Sequence, residues 1–215
     1  MEENQSVKEE IKTKTRRRIL LAGVQAFAKY GFHGMKIAAV ARDAGIANGT
    51  FYLHFKDKTE LYLEIVRTAV SLLSAQLFAI HNYETNKGII DRKEIEAILS
   101  FAENNRDLCI IMLDPRLSEL AGHDDLFKPL TEIRINDLKK GIESGNISRE
   151  INPVIAARAE IGMIISVIQW WTNNNTQISR EEFIATLTQL RRSWAIVDDK
   201  VDDIDALLNQ WDSRL

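Results

Sequence analysis

Apolar residues recur along most of this chain at intervals of three and four, which is the spacing of an amphipathic helix. The chain contains only three prolines and ten glycines, whereas a β-protein needs a turn about every 8 to 12 residues. The pattern therefore predicts an all-α fold. The predicted helices cover residues 15–31, 37–44, 48–55, 57–81, 91–103, 125–142, 153–172 and 180–197, with a short buried segment at 108–113.

Residues 31–58 contain the most informative pattern. The apolar positions of residues 37–44 form one stripe on a helix that is too short to be stable alone. Gly45 then suits the left-handed residue that ends many helices, and a second short helix follows over residues 48–55. The arrangement predicts a helix-turn-helix, although an ordinary helical hairpin with a polar outer face explains the bare pattern equally well.

The second short helix has one apolar face and one small, polar face. At 100° per residue, Phe51 and Phe55 share the apolar face. A small edge that forms hydrogen bonds fits the major groove of DNA, which is about 12 Å wide. The residues that point away from the apolar face are Gly49, Thr50 and Leu53, flanked by Asn48, Tyr52 and His54.

The net charge of -3 hides an uneven distribution along the chain. Residues 1–62 carry 11 Lys and Arg against 7 Asp and Glu, whereas residues 63–215 carry 17 against 24. A basic N-terminal part favours contact with DNA, because each neutralised phosphate releases counterions. Basic residues at the start of the first helix are candidates for this contact or for a solvated cluster: Lys12, Lys14, Arg16, Arg17 and Arg18.

The sequence carries no pattern of catalytic or metal-binding residues. Its four histidines lack the spacing of metal ligands, and it has no Gly-rich phosphate loop, nucleophile elbow or HExxH motif. The single cysteine, Cys109, lies in an apolar run and fits a reducing compartment. The N-terminus is charged, and no uninterrupted run of about 18 apolar residues occurs. We expect a cytoplasmic protein that is not an enzyme and has no metal or cofactor.

The segment AGIANGTFYLHFKDK, residues 44–58, resembles the DNA-binding domain of the tetracycline-repressor (TetR) family. The resemblance covers roughly residues 15–66, where the turn, the recognition helix and the start of the next helix have the spacing of that family. Beyond residue 70 only length and helical character match. The resemblance implies a helix-turn-helix protein that binds DNA.

The resemblance also implies roles for individual residues. Base edges are expected to be read by Asn48, Gly49, Thr50 and Leu53, and phosphates to be bound by Tyr52, His54 and Lys58. One position departs from the family, because Met35-Lys36 stand where a pair containing Thr or Ser usually caps the second helix. Lys36 can bind a phosphate as a point charge, but its side chain cannot accept hydrogen bonds from backbone amides.

We expect three parts in this chain. Residues 1–12 are a flexible arm or frayed helix, residues 13–58 form the helix-turn-helix domain, and residues 59–215 form a larger helical domain that binds an effector and dimerises. A connecting helix begins at about residue 57, because Asp57 and Glu60 have the spacing of a capping box. This helix is long enough to link the two domains, so movement at its far end can shift the DNA-binding domain.

The helices at about 153–172 and 180–197 are long and apolar, and the resemblance implies that they form a homodimer interface. Two recognition helices about 34 to 36 Å apart would read a pseudo-palindromic operator. The same helices could instead fill the core of one monomer. The acidic segment 198–215 predicts an extra amphipathic helix for which the sequence indicates no function.

In this family the larger domain typically holds a cavity for a small effector. Large apolar side chains close to few polar ones suit such a cavity, although each of them also fits plain core packing. The candidate lining residues are Phe78, Phe101, Met112, Phe127, Met163, Gln169 and Trp170.

These observations predict a ligand-responsive transcriptional regulator, most simply a homodimeric repressor that a small molecule releases from double-stranded DNA. The alternative is a helical protein–protein interaction module that does not bind DNA. Salt dependence separates the two classes, because only DNA binding weakens by decades between about 50 and 200 mM salt.

Overall fold

The computed structural model describes residues 2–121, 125–173 and 178–193, and every regular element in them is an α-helix. The predicted all-α fold is confirmed. The helices are α1 (Glu2–Gly34), α2 (Ile37–Asp43), α3 (Asn48–Tyr52), α4 (Lys58–Tyr83), α5 (Lys87–Asn104), α6 (Arg106–Met112), α7 (Leu117–Ala121), α8 (Lys128–Glu143), α9 (Pro153–Asn173) and α10 (Arg180–Ser193).

Capping residues set several of these helix ends. Asp57 accepts a hydrogen bond from the backbone of Glu60 at the start of α4, with an N···O distance of 2.9 Å. Asn86 and Asn152 cap α5 and α9 in the same way, and the hydroxyl of Ser179 accepts from Glu182 in α10. Such local signals explain why the sequence indicates most helix boundaries correctly.

The structure differs from the sequence pattern at several helix bounds, since α3 ends at Tyr52 and α8 begins at Lys128. α1 begins at Glu2, so helix is present where an arm or frayed helix is expected, and Gly31 interrupts it with φ 65°. α5 begins at Lys87, because Asn86 caps a helix rather than breaking one. α7 is an additional short helix, since five residues are too few to show a period.

α1, α2 and α3 form a three-helix unit against the first turns of α4. The turn between α2 and α3 is a Schellman motif, in which Gly45 N–H donates to Arg42 and Ile46 N–H donates to Ala41, both at 2.9 Å. Gly45 has φ 64°, and a Cβ there would lie 2.6 Å from the Arg18 guanidinium. The left-handed backbone therefore requires glycine at this turn, and a side chain there would also displace the Arg18 guanidinium.

The apolar core continues from this unit along α4 into the helices of the larger part. Ile65, Ala69, Leu73 and Leu77 of α4 belong to the same buried cluster as Phe51 in α3 and residues of α5, α6 and α9. The division near residue 58 stays a prediction about function, since packing is continuous across it. Segment 198–215 lies outside the described residues.

α9 presents much of its apolar surface to the outside. Val154, Ile155 and Trp170 are exposed in the single chain, with Ile155 at 68%. α4 and α9 are also long and apolar enough to cross a membrane, judged by length and mean hydropathy alone, although no uninterrupted apolar run marks them in the sequence. An exposed apolar face of this kind marks α9 as a candidate interaction surface.

Candidate DNA-binding surface and effector cavity

Residues 48–55, which comprise α3 and the turn after it, bury two phenylalanines and expose the small, polar side predicted to read bases. Phe51 and Phe55 are fully buried, whereas Asn48, Gly49 and Leu53 are exposed and Thr50 is half-buried. Leu53 is 78% exposed, which is unusual for a leucine beside a well-packed core. This face is available to a partner such as a major groove.

Gly49 has no requirement for glycine within its own chain. A Cβ at this position would meet no atom within 4 Å, and the backbone there has no positive φ. Glycine inside a helix costs about 1 kcal/mol relative to alanine. The residue therefore weakens α3 without a compensating contact in the protein, which fits a close approach of another molecule.

The predicted phosphate-binding residues differ in how free they are. Tyr52 is exposed and packs edge to face on Phe51. The Lys58 ammonium donates to the Phe32 carbonyl at 3.0 Å and lies over the Phe32 ring, so it also fastens α4 to the end of α1. Burial, then the charges of Arg16 and Lys12, lower the pKa of His54. A phosphate beside His54 would favour its charged form.

Two of the basic residues in the middle of α1 bind groups of the protein itself. Arg16 donates to the His54 carbonyl at 2.9 Å, pairs with Glu64 at 3.0 Å and lies over the Phe55 ring. Arg18 donates to the carbonyls of Ala44 and Gly45 and so neutralises the end of α2. Lys12, Lys14 and Arg17 remain exposed on the same helix.

Lys36 occupies the N-cap position of α2, and its side chain makes no capping hydrogen bond there. Its backbone is extended, with φ -116° and ψ 130°, as an N-cap requires. The residue is exposed. The start of α2 thus has no side-chain cap and carries one exposed positive charge.

A mostly apolar cavity of about 90 Å³ lies between the helices of the larger part. α4, α5, α6, α8, α9 and α10 all contribute to its wall. The apolar lining residues are Leu73, Leu77, Ile98, Phe101, Ala102, Cys109, Met112, Leu113, Phe127, Leu130, Ile133, Ile161, Ile164, Ile165 and Ile168. Burial raises the pKa of the Cys109 thiol to about 11, so it stays a neutral part of this wall.

The predicted lining residues divide into two groups. Phe101, Met112 and Phe127 lie on the cavity wall. Four others do not line it: Phe78, which is 60% exposed, Met163, Gln169 and Trp170. For Phe78 the reason is helix phase, since Leu73 and Leu77 define the inward face of α4 and the next residue turns outward.

A group of charged side chains beside this cavity has no local signal in the sequence pattern. We call it the ionic cluster, and its members are Asp91, Glu94, Arg134, Asp137, Glu160 and Arg191. Arg134 Nε donates to Glu160 Oε2 at 2.6 Å, and Arg191 lies 2.5 Å from both Glu94 and Glu160. Its members come from four helices, so no local spacing indicates them. Single charged positions on α8, α9 and α10 are the only trace in the sequence.

Two carboxylates of the ionic cluster have lowered pKa values. Burial alone raises the pKa of Glu94, but a hydrogen bond from His81 at 2.7 Å and the charge of Arg191 lower it below the ordinary value. Burial likewise opposes ionisation of Asp137, and Lys87 with Arg134 lowers its pKa overall. Glu94 and Asp137 are therefore charged at neutral pH.

One buried hydroxyl forms a hydrogen bond between the cavity wall and the helices that pack on the three-helix unit. Tyr62 of α4 donates to the Ile111 carbonyl of α6 at 2.9 Å, next to Met112 on the wall. The same ring packs edge to face on Phe27 and Phe32 of α1. Burial and the negative charge of Asp114 raise the pKa of Tyr62, so it remains a donor. A displacement of α6 must therefore disturb α1 and α4.

Comparison with known families decides the identity of the N-terminal part. Residues 19–65 match the family model described as "Bacterial regulatory proteins, tetR family". Residues 19–65 are a DNA-binding domain of the TetR family. They include the whole turn, α3 and the start of α4, and the chain is a DNA-binding regulator of transcription.

Relatives of known name extend the comparison to the larger part. The chain is 25% identical over 166 residues to the "Fatty acid metabolism regulator protein" of Bacillus subtilis (strain 168), which spans 73% of this chain and 83% of that protein. The fold also matches the crystal structure of the regulator FadR from Bacillus subtilis in complex with stearoyl-CoA, at TM-score 0.73 and 22% identity, over 83% of this chain and 98% of the other. A third match is AibR in complex with isovaleryl coenzyme A and operator DNA, at TM-score 0.65 and 15% identity, over 82% and 97% of the two chains.

Proposed function

We propose that this chain is a homodimeric, cytoplasmic repressor that leaves its operator when an acyl-coenzyme A thioester binds in the cavity. The observation that carries the proposal is the cavity itself, which is apolar along most of its wall and bounded by α4 and α6. Apolar walls with few polar groups suit an acyl chain. The names of the relatives support the choice of an acyl thioester over other apolar molecules.

The size of the cavity supports release rather than recruitment. About 90 Å³ is well below the roughly 300 to 1,000 Å³ of ordinary ligand pockets, so an acyl chain must push helices apart to enter. Close-packed cores transmit such a displacement instead of absorbing it. Because α6 is hydrogen-bonded to Tyr62, whose ring packs on α1, entry of the chain would change the position of the DNA-binding part. The described conformation, with a small cavity, corresponds to the DNA-binding state.

The DNA-binding surface combines α3 with the start of α2. We assign base readout to Asn48, Gly49, Thr50 and Leu53, since this edge of α3 is exposed above a buried aromatic base. We assign phosphate contacts to Tyr52, His54, Lys58 and Lys36, which surround that edge. Lys58 has a second, structural role at the Phe32 carbonyl, so its loss would weaken the fold as well as binding.

The dimer rests on the exposed apolar face of α9. Only 22% of its most apolar stretch is buried within one chain, although the residues are those of a core helix. Val154 and Ile155 contribute to this face, and α10 places Leu190 at 42% exposure. Pairing of α9 and α10 with a second copy would cover this area and hold two recognition helices for a pseudo-palindromic operator.

The test begins with selection of bound sequences from a random duplex library at about 150 mM salt. We expect a pseudo-palindrome, affinity that falls by decades between about 50 and 200 mM salt, and release by acyl-coenzyme A thioesters but not by free coenzyme A. Enrichment without release by any thioester would refute the effector class. No enrichment, together with salt-independent capture of a protein partner, would favour the interaction-module alternative.

A further inference from the structure

The cavity is charged at one end. Glu94, Arg134, Glu160 and Arg191 of the ionic cluster line it together, whereas its remaining wall is apolar. All four side chains are buried, with Glu94 at 1% exposure. This end is therefore a floor of buried charged side chains, and Arg134 and Arg191 also line an adjoining polar groove together with Lys87 and Arg192.

The floor has hydrogen-bonding capacity that the protein does not use. Nε and Nη1 of Arg191 lie 2.5 Å from Glu160 and Glu94, yet neither pair has the direction of a hydrogen bond. The facing atoms, Glu94 Oε2 and Glu160 Oε1, are likewise buried without a hydrogen bond. Ion pairing compensates these charges, and a hydroxyl group that inserts between the paired atoms can supply the hydrogen bonds that they lack.

The opposite end of the cavity leads toward the surface. Met112, Leu113, Phe127 and Ile165 line both the cavity and an adjoining open groove beside α7. Along α8, Phe127 at this mouth and Arg134 at the floor are seven residues apart, which corresponds to about 10 Å of helix. An acyl chain that enters at the mouth would thus point its far end at the ionic cluster.

We propose that the ionic cluster selects the effector by the far end of its acyl chain, an inference that rests on the proposed function. A terminal methyl group that contacts the cluster would desolvate its charged side chains further and could form no hydrogen bond with them. Acyl chains longer than the cavity therefore do not bind. An uncharged hydroxyl at the chain end can accept from Arg191 and donate to Glu94 or Glu160. A terminal carboxylate is excluded, because both guanidinium groups of the cluster already pair with carboxylates of the cluster.

The experiment compares wild type with the double variant R134M/E160L. The substitution removes one positive and one negative charge that pair with each other, leaves Asp137 with Lys87, and keeps Arg191 beside Glu94. Replacement of a buried ion pair by apolar residues of similar size is often neutral for stability. The matched control is R92M/E181L, which removes an ion pair of 2.8 Å between α5 and α10 that does not line the cavity.

Each protein is titrated on operator DNA with a series of saturated thioesters from butyryl to stearoyl coenzyme A. For wild type and the control we expect the potency of release to rise with acyl-chain length up to a limiting length and to fall for longer chains. The shortest acyl chain beyond the wild-type limit should release DNA from R134M/E160L at least tenfold more effectively than from wild type. Shorter chains should act equally on both proteins. The same limit in wild type and double variant would overturn the inference while leaving the proposed function intact. No release of wild type by any thioester would refute the proposed function first.

A second measurement needs no variant and applies if R134M/E160L does not fold. At the first chain length that wild type refuses, the thioester with a terminal hydroxyl is compared with the one ending in a methyl and the one ending in a carboxylate. We expect the hydroxyl-ended chain to release DNA at least tenfold more effectively than either. Equal refusal of all three would show that the ionic cluster merely holds α5, α8, α9 and α10 together.

Discussion

Replacement of Gly49 by alanine should stabilise the protein and weaken its binding to DNA. In the free chain an added Cβ meets no atom within 4 Å, and no positive φ disfavours alanine. The gain in helix propensity is about 1 kcal/mol in a helix interior, and a smaller gain is expected here because Gly49 lies in the first turn of the five-residue α3. The free energy of unfolding should therefore rise by roughly 0.5 to 1 kcal/mol.

The effect on DNA binding should have the opposite sign. If the backbone at Gly49 packs against a base edge, a methyl group there overpacks the interface and costs about 1 to 3 kcal/mol, which is roughly a 5- to 150-fold loss of affinity. The loss should be largest on the selected operator and small on a random duplex, because phosphate contacts are kept.

Urea denaturation and operator titration of the same preparations check both halves of this prediction. A stabilised G49A protein with unchanged operator affinity would refute the placement of α3 in the groove with Gly49 toward DNA. A destabilised G49A protein would instead contradict the local geometry, since nothing in the chain itself requires glycine at this position.

Further predictions concern the coupling, the interface and the dimer. Tyr62→Phe removes a buried hydrogen bond of about 1 kcal/mol. If effector entry breaks that bond, the effector concentration for half-release should fall up to about 5-fold. The control Thr188→Val, which loses a buried hydroxyl within α10, should leave this concentration unchanged. The pKa of His54 is lowered in the free protein, and a bound phosphate would raise it. Operator affinity should therefore increase as the pH falls through about 6.5. Operator titrations at several pH values should show that His54→Asn abolishes this pH dependence. Lys36→Thr supplies the missing cap of α2, so urea denaturation should show a gain of about 1 kcal/mol while the salt slope of operator binding falls by about 1. Ile155→Glu should leave the fold unchanged and raise the dimer dissociation constant at least tenfold in sedimentation experiments, whereas an unchanged constant would place the interface elsewhere.

The helix-turn-helix could be predicted from the sequence because its determinants are local. The apolar stripe of α2, the glycine of the Schellman turn and the buried aromatic pair of α3 all lie within about 20 residues, and each follows from helix geometry. The roles of Arg16 and Arg18 could not be predicted, since their partners are 38 and 26 residues away. The same charge pattern would describe phosphate contacts and internal braces equally well.

The cavity was predictable only in part. Hydrophobic residues at helical spacing identify the inward face of each helix, which accounts for Phe101 and Met112, but they do not show which inward residues border empty space. The ionic cluster depends on how α5, α8, α9 and α10 cross, and a lone Glu94 or Arg191 in the sequence is indistinguishable from a surface charge. Burial and pairing appear only when the helices are assembled.

The continuity of the core explains how a small cavity could control a distant DNA surface. If the DNA-binding part and the larger part had separate cores, an effector could expand one without moving the other. Here α4 carries Leu73 and Leu77 on the cavity wall and Leu61 under the DNA-binding part in one buried cluster. Because such a core has little free volume, the helices must shift when a chain larger than about 90 Å³ enters, and Tyr62 ties that shift to α1. Coupling of this kind is reciprocal, so operator DNA should weaken effector binding by the same factor by which the effector weakens DNA binding.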